Sequence, residues 1–267
     1  MRVRIVIRAR NEAATIGTTL ARLARQTIAS QAEVVVVDSG SRDGTVEIAR
    51  RAGARVIEIA ASEFTFGGSL NLGCADSEAP LIVALSAHAP PPDERWLERI
   101  LEPFADERVA CACGYAAAPD GGVLEARVVQ DLELARAHPF WGYSNSAGAF
   151  RAELWRERPF REDMPGTEDK EWAWHWLERG RVVVVDPSFA TEHSDHADEG
   201  PLRTYRRARN VWRGFAMFLE LEPYGARELA RDWWTGLDGY PSHLRARIGW
   251  RRAAKLLGRW AGAKGSR

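Results

Sequence analysis

Four short clusters of polar residues could do chemistry, because each comes after a predicted β-strand. They lie at residues 8–12, 38–45, 86–88 and 193–196. In an open parallel sheet, ligands bind in the crevice beyond the carboxyl ends of the strands. An asparagine or aspartate at such a place is also a common turn or helix N-cap residue. Four clusters at one sheet edge nevertheless favour a ligand-binding crevice.

The second cluster begins with Asp38, which ends a run of four valines. Its carboxylate oxygens could accept hydrogen bonds from a nucleobase or a ribose. Gly40 and Gly44 allow the chain to turn sharply, and Asp43 can cap the following helix. No G-x-G-x-x-G sequence follows the first strand, and the chain has no G-x-x-x-x-G-K phosphate loop. The sequence therefore excludes NAD-dependent enzymes and P-loop kinases.

Alternating apolar runs and helical patterns predict the framework that positions the clusters. Strand, helix, strand, helix and strand follow one another within the first 60 residues, which implies parallel strands joined by right-handed crossovers. The predicted fold class is α/β, with a mostly parallel sheet flanked by helices. Strands are predicted at residues 4–7, 33–37, 54–59, 81–85, 109–115 and 181–185, and helices at residues 12–26, 45–52, 93–104 and 168–179.

Residues 201–267 differ from the rest of the chain in pattern and in charge. Strand patterns disappear there, and two or three helices are predicted, broken near Pro223 and across residues 236–241. The whole chain has 37 basic and 37 acidic residues, yet this segment carries 15 basic against 5 acidic ones and five of the 11 tryptophans. Such a segment could contact an anionic membrane surface, an anionic ligand or the acidic remainder of the protein.

The composition is that of a globular protein. With 267 residues, 45% of them hydrophobic and 28% charged, the chain can bury a core without disulfides or metal. Cys74 stands alone, and Cys111 and Cys113 are poorly placed to bridge each other, so a reducing cytoplasm is expected. Neither a signal peptide nor an apolar run of about 18 residues is expected.

The predicted helix at residues 168–179 is rich in aromatic residues. Trp172 and Trp176 are four residues apart, so they would share one buried helix face. Alternatively, aromatic rings near Asp169 could stack on sugar rings, together with Trp141 and Tyr143.

Two of the polar clusters also carry a family resemblance. The matching runs are residues 7–12, 34–45 and 70–73, followed by Pro92, Trp96 and Leu97, by residues 145–151, and by Glu168-Asp169 with Trp172. In this order they resemble a family 2 glycosyltransferase of the GT-A fold, nearest to bacterial rhamnosyltransferase-like members. The resemblance covers roughly residues 3–200. It implies a GT-A domain at residues 1–200. Residues 201–267, by their own composition, are expected to be a basic, Trp-rich helical extension packed on that domain.

The resemblance implies a role for residues on the nucleotide side. Arg10 and Glu12 would lie beside the nucleotide, Asp38 would bind the base, and Asn71 would lie near the nucleotide sugar. Residues 145–151 resemble the acceptor-side loop of the family.

The resemblance also implies the catalytic pair. Asp169 would be the general base that deprotonates an acceptor hydroxyl, and Glu168 would orient that base or the acceptor. One carboxylate is enough, because a single in-line displacement inverts the anomeric centre and the diphosphate is already a good leaving group.

The chain departs from the family pattern after the fourth strand. Many relatives hold a divalent metal there with a D-x-D aspartate pair, whereas this chain has Ser86-Ala87-His88. His88 could ligate Mn²⁺ or Mg²⁺, donate to the diphosphate as imidazolium, or bond to the backbone. His193 lies where relatives often place a histidine near the metal. Arg203 and Arg207, one helical turn apart, could instead close over the diphosphate or remain solvated.

The expected function is that of an inverting glycosyltransferase. It would move a sugar, with rhamnose as the family-led choice, from a dTDP- or UDP-sugar to a glycan, a lipid-linked intermediate or a small molecule. One alternative is a sugar nucleotidyltransferase, although the G-x-G-T-R-x-x-P loop is missing. Another is a catalytically silent module that binds nucleotide-sugar in a polysaccharide assembly complex. The expected place is the cytoplasm, with peripheral membrane contact through the basic helices and no nucleic-acid partner.

Overall fold

The computed structural model describes residues 2–115, 117–192, 200–235 and 242–263. The chain forms two compact units. The first comprises Met1–Asp163 and Asp169–Ser194, and the second comprises Met164–Glu168 and Asp195–Arg267. The domain boundary at residue 200 stays a prediction, and His193 lies outside the described residues.

The described part of the first unit contains one eight-stranded sheet in the order β3-β2-β1-β4-β7-β5-β8-β6. The strands β1 to β4 pair in parallel, whereas β7 is antiparallel to β4 and β5, and β6 is antiparallel to β8. The predicted α/β class is therefore confirmed. The strands are β1 Val3–Ala9, β2 Ala32–Asp38, β3 Arg55–Glu58, β4 Leu81–Ser86, β5 Val109–Cys113, β6 Val128–Gln130, β7 Ala147–Arg151 and β8 Val182–Val185.

Helices flank both faces of the sheet, because alternate strand residues point to opposite faces. Val3, Ile5 and Ile7 of β1 belong to one core, and Val6 belongs to the other. The helices of the first part of the chain are α1 Ile16–Ala24, α2 Thr45–Arg51, α3 Phe66–Cys74, α4 Trp96–Leu101, α5 Leu132–Ala137, α6 Ala152–Glu157 and α7 Glu168–Leu177.

The helix α3 was not predicted, because residues 66–73 are rich in glycine. Its glycines allow close packing: a Cβ on Gly73 would lie 2.3 Å from Val6 Cγ1, and one on Gly67 would lie 2.3 Å from Arg161 O. Thr65 caps the helix by accepting a hydrogen bond from Gly68 N at 2.9 Å. Tertiary packing therefore outweighs the low helix propensity of glycine.

The expectation of an acceptor-side loop at residues 145–151 is wrong for most of that segment. Ala147–Arg151 form β7, which lies between β4 and β5. Gly148 leaves no room for a side chain, since a Cβ would lie 2.4 Å from Ser144 O. Only residues 145 and 146 remain outside the strand.

The second unit contains the helices α8 Pro201–Phe215, α9 Ala226–Thr235 and α10 Ser242–Ala263. Three helices agree with the prediction, including the break near Pro223; residues 236–241 lie outside the described residues. Gly258 and Gly262 allow α10 to approach α8 closely, because their Cβ atoms would lie 2.6 Å from Tyr205 O and 2.4 Å from Arg209 O. In the described part of the chain, no helix is both long and apolar enough to cross a membrane.

Candidate active site

Hydrogen bonds join the loop after β1 to the loop after β2. Asn11 adopts a left-handed backbone conformation with a φ of 54°, which asparagine tolerates better than most residues. Its N–H donates to Ser41 Oγ at 2.8 Å, and its Oδ1 accepts from Arg42 N at 2.9 Å. Glu12 N donates to Thr45 Oγ1 at 2.8 Å. We call residues 10–15 and 38–45 the β1–β2 loops.

The carboxylate of Asp38 holds the second of these loops. Asp38 is only 1% exposed. Its Oδ1 accepts hydrogen bonds from Gly40 N at 3.0 Å and Ser41 N at 2.9 Å, and its Oδ2 accepts one from Ser41 Oγ. These bonds engage both carboxylate oxygens within the loop itself. Contact between Asp38 and a nucleobase stays a prediction.

Glu12 and His88 bring the first and third polar clusters together. His88 Nδ1 lies 3.0 Å from Glu12 Oε1, and Thr15 Oγ1 donates to Glu12 Oε2 at 2.8 Å. Burial raises the pKa of Glu12, but the hydrogen bonds from His88 and Thr15 outweigh burial and lower it. Glu12 is therefore a carboxylate at neutral pH, held beside an imidazole.

The donor set of this pair fits a metal held mainly by substrate. No group of three or more His, Cys, Asp and Glu side chains suited to a metal occurs among the described residues. Mg²⁺ in phosphate-transfer sites usually keeps waters and uses only one or two carboxylates plus substrate phosphates. Glu12 could supply one such carboxylate and His88 an imidazole nitrogen, and His88 Nδ1 lies 3.0 Å from Glu12 Oε1. Ligation by His193 is a prediction about a residue outside the described ranges.

Asp169 stands at the start of α7 with a fixed carboxylate. Its Oδ2 accepts a hydrogen bond from Asn145 N at 3.1 Å, and its Oδ1 accepts one from Lys170 N at 2.8 Å. Ser146, which follows Asn145, links this region to the end of β4, because its carbonyl oxygen accepts a hydrogen bond from Ser86 N at 2.9 Å. Both oxygens of Asp169 are therefore oriented by backbone N–H groups.

Two residues that the sequence analysis did not single out lie beside Asp169. Lys170 Nζ donates to Gly142 O at 2.9 Å and lies 5.6 Å from the centroid of the Tyr115 ring. Burial lowers the pKa of Lys170, and Asp169 opposes that effect. The available signals were the position of Lys170 next to Asp169 and that of Tyr115 at the end of a predicted strand. We call Tyr115, residues 142–146, Asp169 and Lys170 the α7 site.

Asn71 is engaged in the framework. Its Nδ2 donates to Phe160 O at 2.9 Å and to Glu162 Oε1 at 3.0 Å. Its Oδ1 accepts from Trp155 Nε1 at 2.9 Å and from Phe160 N at 3.1 Å. These four bonds use the full capacity of an amide side chain, so Asn71 attaches residues 160–162 to α3. The predicted place of Asn71 beside the nucleotide sugar stays a prediction.

The remaining predicted residues differ in exposure. Arg10 is exposed after β1, and Glu168 is buried at the start of α7. Arg203 and Arg207 are exposed on α8 of the second unit. Their predicted contacts with nucleotide, base or diphosphate stay predictions.

The aromatic residues of α7 belong to the core. Trp172 is 0% exposed and Trp176 is 3% exposed, which confirms the prediction of a buried helix face. Trp141 and Tyr143 are buried as well, at 8% and 1%. Stacking of a sugar on these four rings is therefore not supported.

The chain is similar to a known family and to a curated protein. A family model described as glycosyl transferase family 2 matches residues 4–173. An O-antigen chain rhamnosyltransferase, WbaN from Salmonella anatum, is 36% identical over 83 residues. That match covers 31% of this chain and 26% of the relative, so the chain spans about a quarter of the length of this curated relative.

The fold is also similar to those of solved structures. The mannosyltransferase PcManGT from Pyrobaculum calidifontis, in complex with GDP-Man and Mn²⁺, gives a TM-score of 0.69 at 20% identity, covering 99% of this chain and 86% of that one. Glucosyl-3-phosphoglycerate synthase from Mycobacterium tuberculosis, in complex with Mn²⁺, UDP and glucosyl-3-phosphoglycerate, gives 0.58 at 18% identity, covering 82% and 78%. At these identities the likeness shows the fold alone, and it agrees with the predicted GT-A architecture.

Proposed function

The chain belongs to glycosyl transferase family 2, and from this membership we propose that it transfers a sugar from a nucleotide-sugar to an acceptor hydroxyl. The observation that carries the proposal is the arrangement around Asp169. Its carboxylate is oriented by two backbone N–H groups, and residues 145–146 connect it to the end of β4, where His88 pairs with Glu12.

The donor is proposed to occupy the crevice formed by the β1–β2 loops. Hydrogen bonds such as that between Asn11 N and Ser41 Oγ hold the loops in place before a ligand binds. Such preorganisation reduces the entropy lost on binding. The curated relative is an O-antigen chain rhamnosyltransferase, which supports rhamnose as the sugar and an O-antigen-like glycan as the acceptor. The nucleotide is proposed to be dTDP or UDP.

The reaction is proposed to be a single displacement with inversion. Asp169 accepts the proton of the acceptor hydroxyl while the hydroxyl oxygen attacks the anomeric carbon. The bond from that carbon to the diphosphate oxygen breaks on the opposite face, and the nucleoside diphosphate leaves with the electron pair. Glu168 is proposed to help orient the acceptor or the base.

A divalent cation is proposed at the Glu12–His88 pair. When bound, Mn²⁺ or Mg²⁺ would neutralise negative charge on the leaving diphosphate. Glu12 supplies a carboxylate oxygen, which these hard cations prefer, and Thr15 keeps that carboxylate oriented.

Donor turnover tests this proposal. Purified protein would be incubated with dTDP-rhamnose, UDP-glucose, UDP-N-acetylglucosamine or GDP-mannose, and nucleoside diphosphate release would be measured with Mn²⁺ and with EDTA. Release from at least one donor, reduced in EDTA, is expected. Thermal stabilisation by a donor without any turnover, even with glycan added, would indicate a silent binding module. Pyrophosphate formed from a sugar phosphate and a nucleoside triphosphate would indicate a nucleotidyltransferase.

The second unit is proposed to contact anionic membranes. Residues 201–267 carry 15 basic against 5 acidic residues, and Arg213 and Lys255 are among the exposed ones. Binding to phosphatidylglycerol vesicles, but not to phosphatidylcholine vesicles, is expected in a sedimentation assay and should weaken as salt rises. The double change Arg213→Glu and Lys255→Glu should reduce it. Equal binding to both vesicle types would contradict the proposal.

A further inference from the structure

Tyr115 is an accessible aromatic residue at the α7 site. It lies two residues beyond β5, at the carboxyl end of that strand, and is 36% exposed. Trp141, Tyr143, Trp172 and Trp176 are all buried. Tyr115 can therefore offer a ring surface to a ligand where these four residues cannot.

The ring of Tyr115 is held from one side. The ammonium of Lys170 lies over it, 5.6 Å from the ring centroid, and the same ammonium is fixed by its hydrogen bond to Gly142 O at 2.9 Å. A cation over an aromatic face is attracted by the negative potential of the ring. A ligand would consequently stack on the opposite face, and the ring would lose little freedom when it did so.

Tyr115 also lies within electrostatic reach of the carboxylate of Asp169. Lys170, whose ammonium lies over the ring, follows Asp169 directly in α7. Burial raises the pKa of Tyr115, and Cys113 and Asp169 raise it further. The phenol therefore keeps its proton at neutral pH and can donate a hydrogen bond to a hydroxyl group of a ligand.

The sheet order separates this ring from the β1–β2 loops. Strand β5 lies four positions from β2, since β1, β4 and β7 stand between them. At about 4.8 Å per strand, the separation is roughly 19 Å. A nucleobase in the β1–β2 crevice would thus lie far from Tyr115, whereas the acceptor of a transfer at Asp169 would lie beside it.

We propose that Tyr115 is the platform on which a sugar ring of the acceptor stacks, so that the acceptor is a carbohydrate. The C–H face of a pyranose is apolar and suits an aromatic surface, while its hydroxyl groups suit the phenol and the carboxylate nearby. A small acid would have no C–H face to place on this ring, and a lipid chain would not use the hydroxyl partners beside it. The assignment of the bound sugar as acceptor rests on the proposed function, whereas the sugar-binding site itself can be measured separately.

Saturation-transfer NMR with methyl glycosides tests the site. The probes are methyl α-L-rhamnopyranoside, methyl α-D-galactopyranoside and methyl α-D-glucopyranoside, each with UDP or dTDP present. Wild-type protein should transfer saturation to ring C–H protons of at least one probe, and Tyr115→Phe should still do so because the ring remains. Tyr115→Ala should weaken binding roughly tenfold, as expected when a stacked ring is lost.

Matched variants keep the test decisive. Trp250 has almost the same exposure, 37%, and is not one of the residues of the α7 site, so Trp250→Ala should bind the glycosides like wild type. If Tyr115→Ala does not fold, Tyr115→Leu replaces it, because leucine keeps apolar volume without a ring. Wild-type protein that binds none of the probes, or an Ala or Leu variant that binds them equally well, would overturn the inference.

The outcomes also separate this inference from the proposed function. Glycoside binding that depends on Tyr115, in a protein that never turns over a donor, would keep the sugar site and reject the glycosyltransferase activity. Donor turnover with glycoside binding that does not depend on Tyr115 would keep the activity and reject the platform.

Discussion

The β1–β2 loops and the α7 site are built from the chain in different ways. The β1–β2 loops use polar side chains within two short segments, such as Asp38, which bonds to Gly40 and Ser41. The α7 site joins residues far apart in sequence, since Asp169 is held by Asn145 and Lys170 lies over Tyr115. Local bonding makes the first region a self-supporting binding surface. The second region depends on the whole sheet to bring a carboxylate and an aromatic ring together.

The largest effect is expected at Asp169, and it would separate chemistry from donor binding. Asp169→Asn should lower turnover by about 10²–10⁴, as the loss of a general base does, while donor affinity measured by calorimetry stays close to wild type. The matched control is Asp120→Asn, in an exposed turn, which should keep wild-type turnover. An Asn variant with full turnover would leave Asp169 as a helix-terminus residue favoured by the dipole.

The next effect concerns Asp38 and sharpens the account of the β1–β2 loops. Asp38→Ala should weaken binding of UDP or dTDP by about 1.5–3 kcal/mol, the scale of a lost hydrogen bond to a charged group. Calorimetry with Asp38→Asn identifies the cause, because asparagine keeps an oxygen for the N–H groups of Gly40 and Ser41. Near wild-type affinity in Asp38→Asn would assign Asp38 to loop support, and affinity as low as in Asp38→Ala would assign the carboxylate to the base. Unchanged affinity in Asp38→Ala would contradict both.

A smaller effect is expected when the Glu12–His88 pair is broken. Glu12→Gln keeps the size of the side chain but removes its charge, so the gain in UDP affinity on adding Mn²⁺ should fall by roughly 10–100-fold. Calorimetry with and without Mn²⁺ measures this gain. Glu33→Gln is the control, because Glu33 pairs with Arg4 near the amino ends of β1 and β2, whereas Glu12 follows the carboxyl end of β1. If wild type and Glu12→Gln respond equally to Mn²⁺, the pair does not hold the metal.

The smallest effect lies in the framework and should leave both regions unchanged. Hydrogen bonds from Arg4 and Arg55 lower the pKa of Asp76 to about 2. A lowered pKa means that the ionised carboxylate stabilises the fold above the ordinary pKa near 4, and that this contribution disappears as pH falls toward 2. The side chain of Asp76 is 53% exposed, so Asp76→Asn should cost only about 0.2–1 kcal/mol at pH 7. Urea denaturation at pH 7 and pH 2.5 measures it, and a loss that is larger at pH 2.5 would contradict the assignment.

Sequence patterns predicted the strands that carry the β1–β2 loops well, because the residue patterns that indicate these strands lie within short segments of the chain. The valine run before Asp38 predicted β2, and the order of strands and helices predicted the parallel pairing of β1 with β2. Glycine content hid α3, since nothing in residues 66–73 reveals that Val6 and Arg161 pack against those glycines. The sequence likewise did not reveal that Asn71 makes four hydrogen bonds to neighbouring segments.

The sequence by itself determined the α/β class, the family and the place of Asp169, because residue periodicity and motif order follow directly along the chain. Only the tertiary structure decided that residues 147–151 form β7 and that Glu12 faces His88. It also decided that Lys170 lies over Tyr115. The physical reason is that strand pairing and side-chain contacts join residues that are tens of positions apart in the sequence. A segment of mostly small residues, such as Ala147–Arg151, also has too weak a strand propensity for the sequence alone to predict a strand.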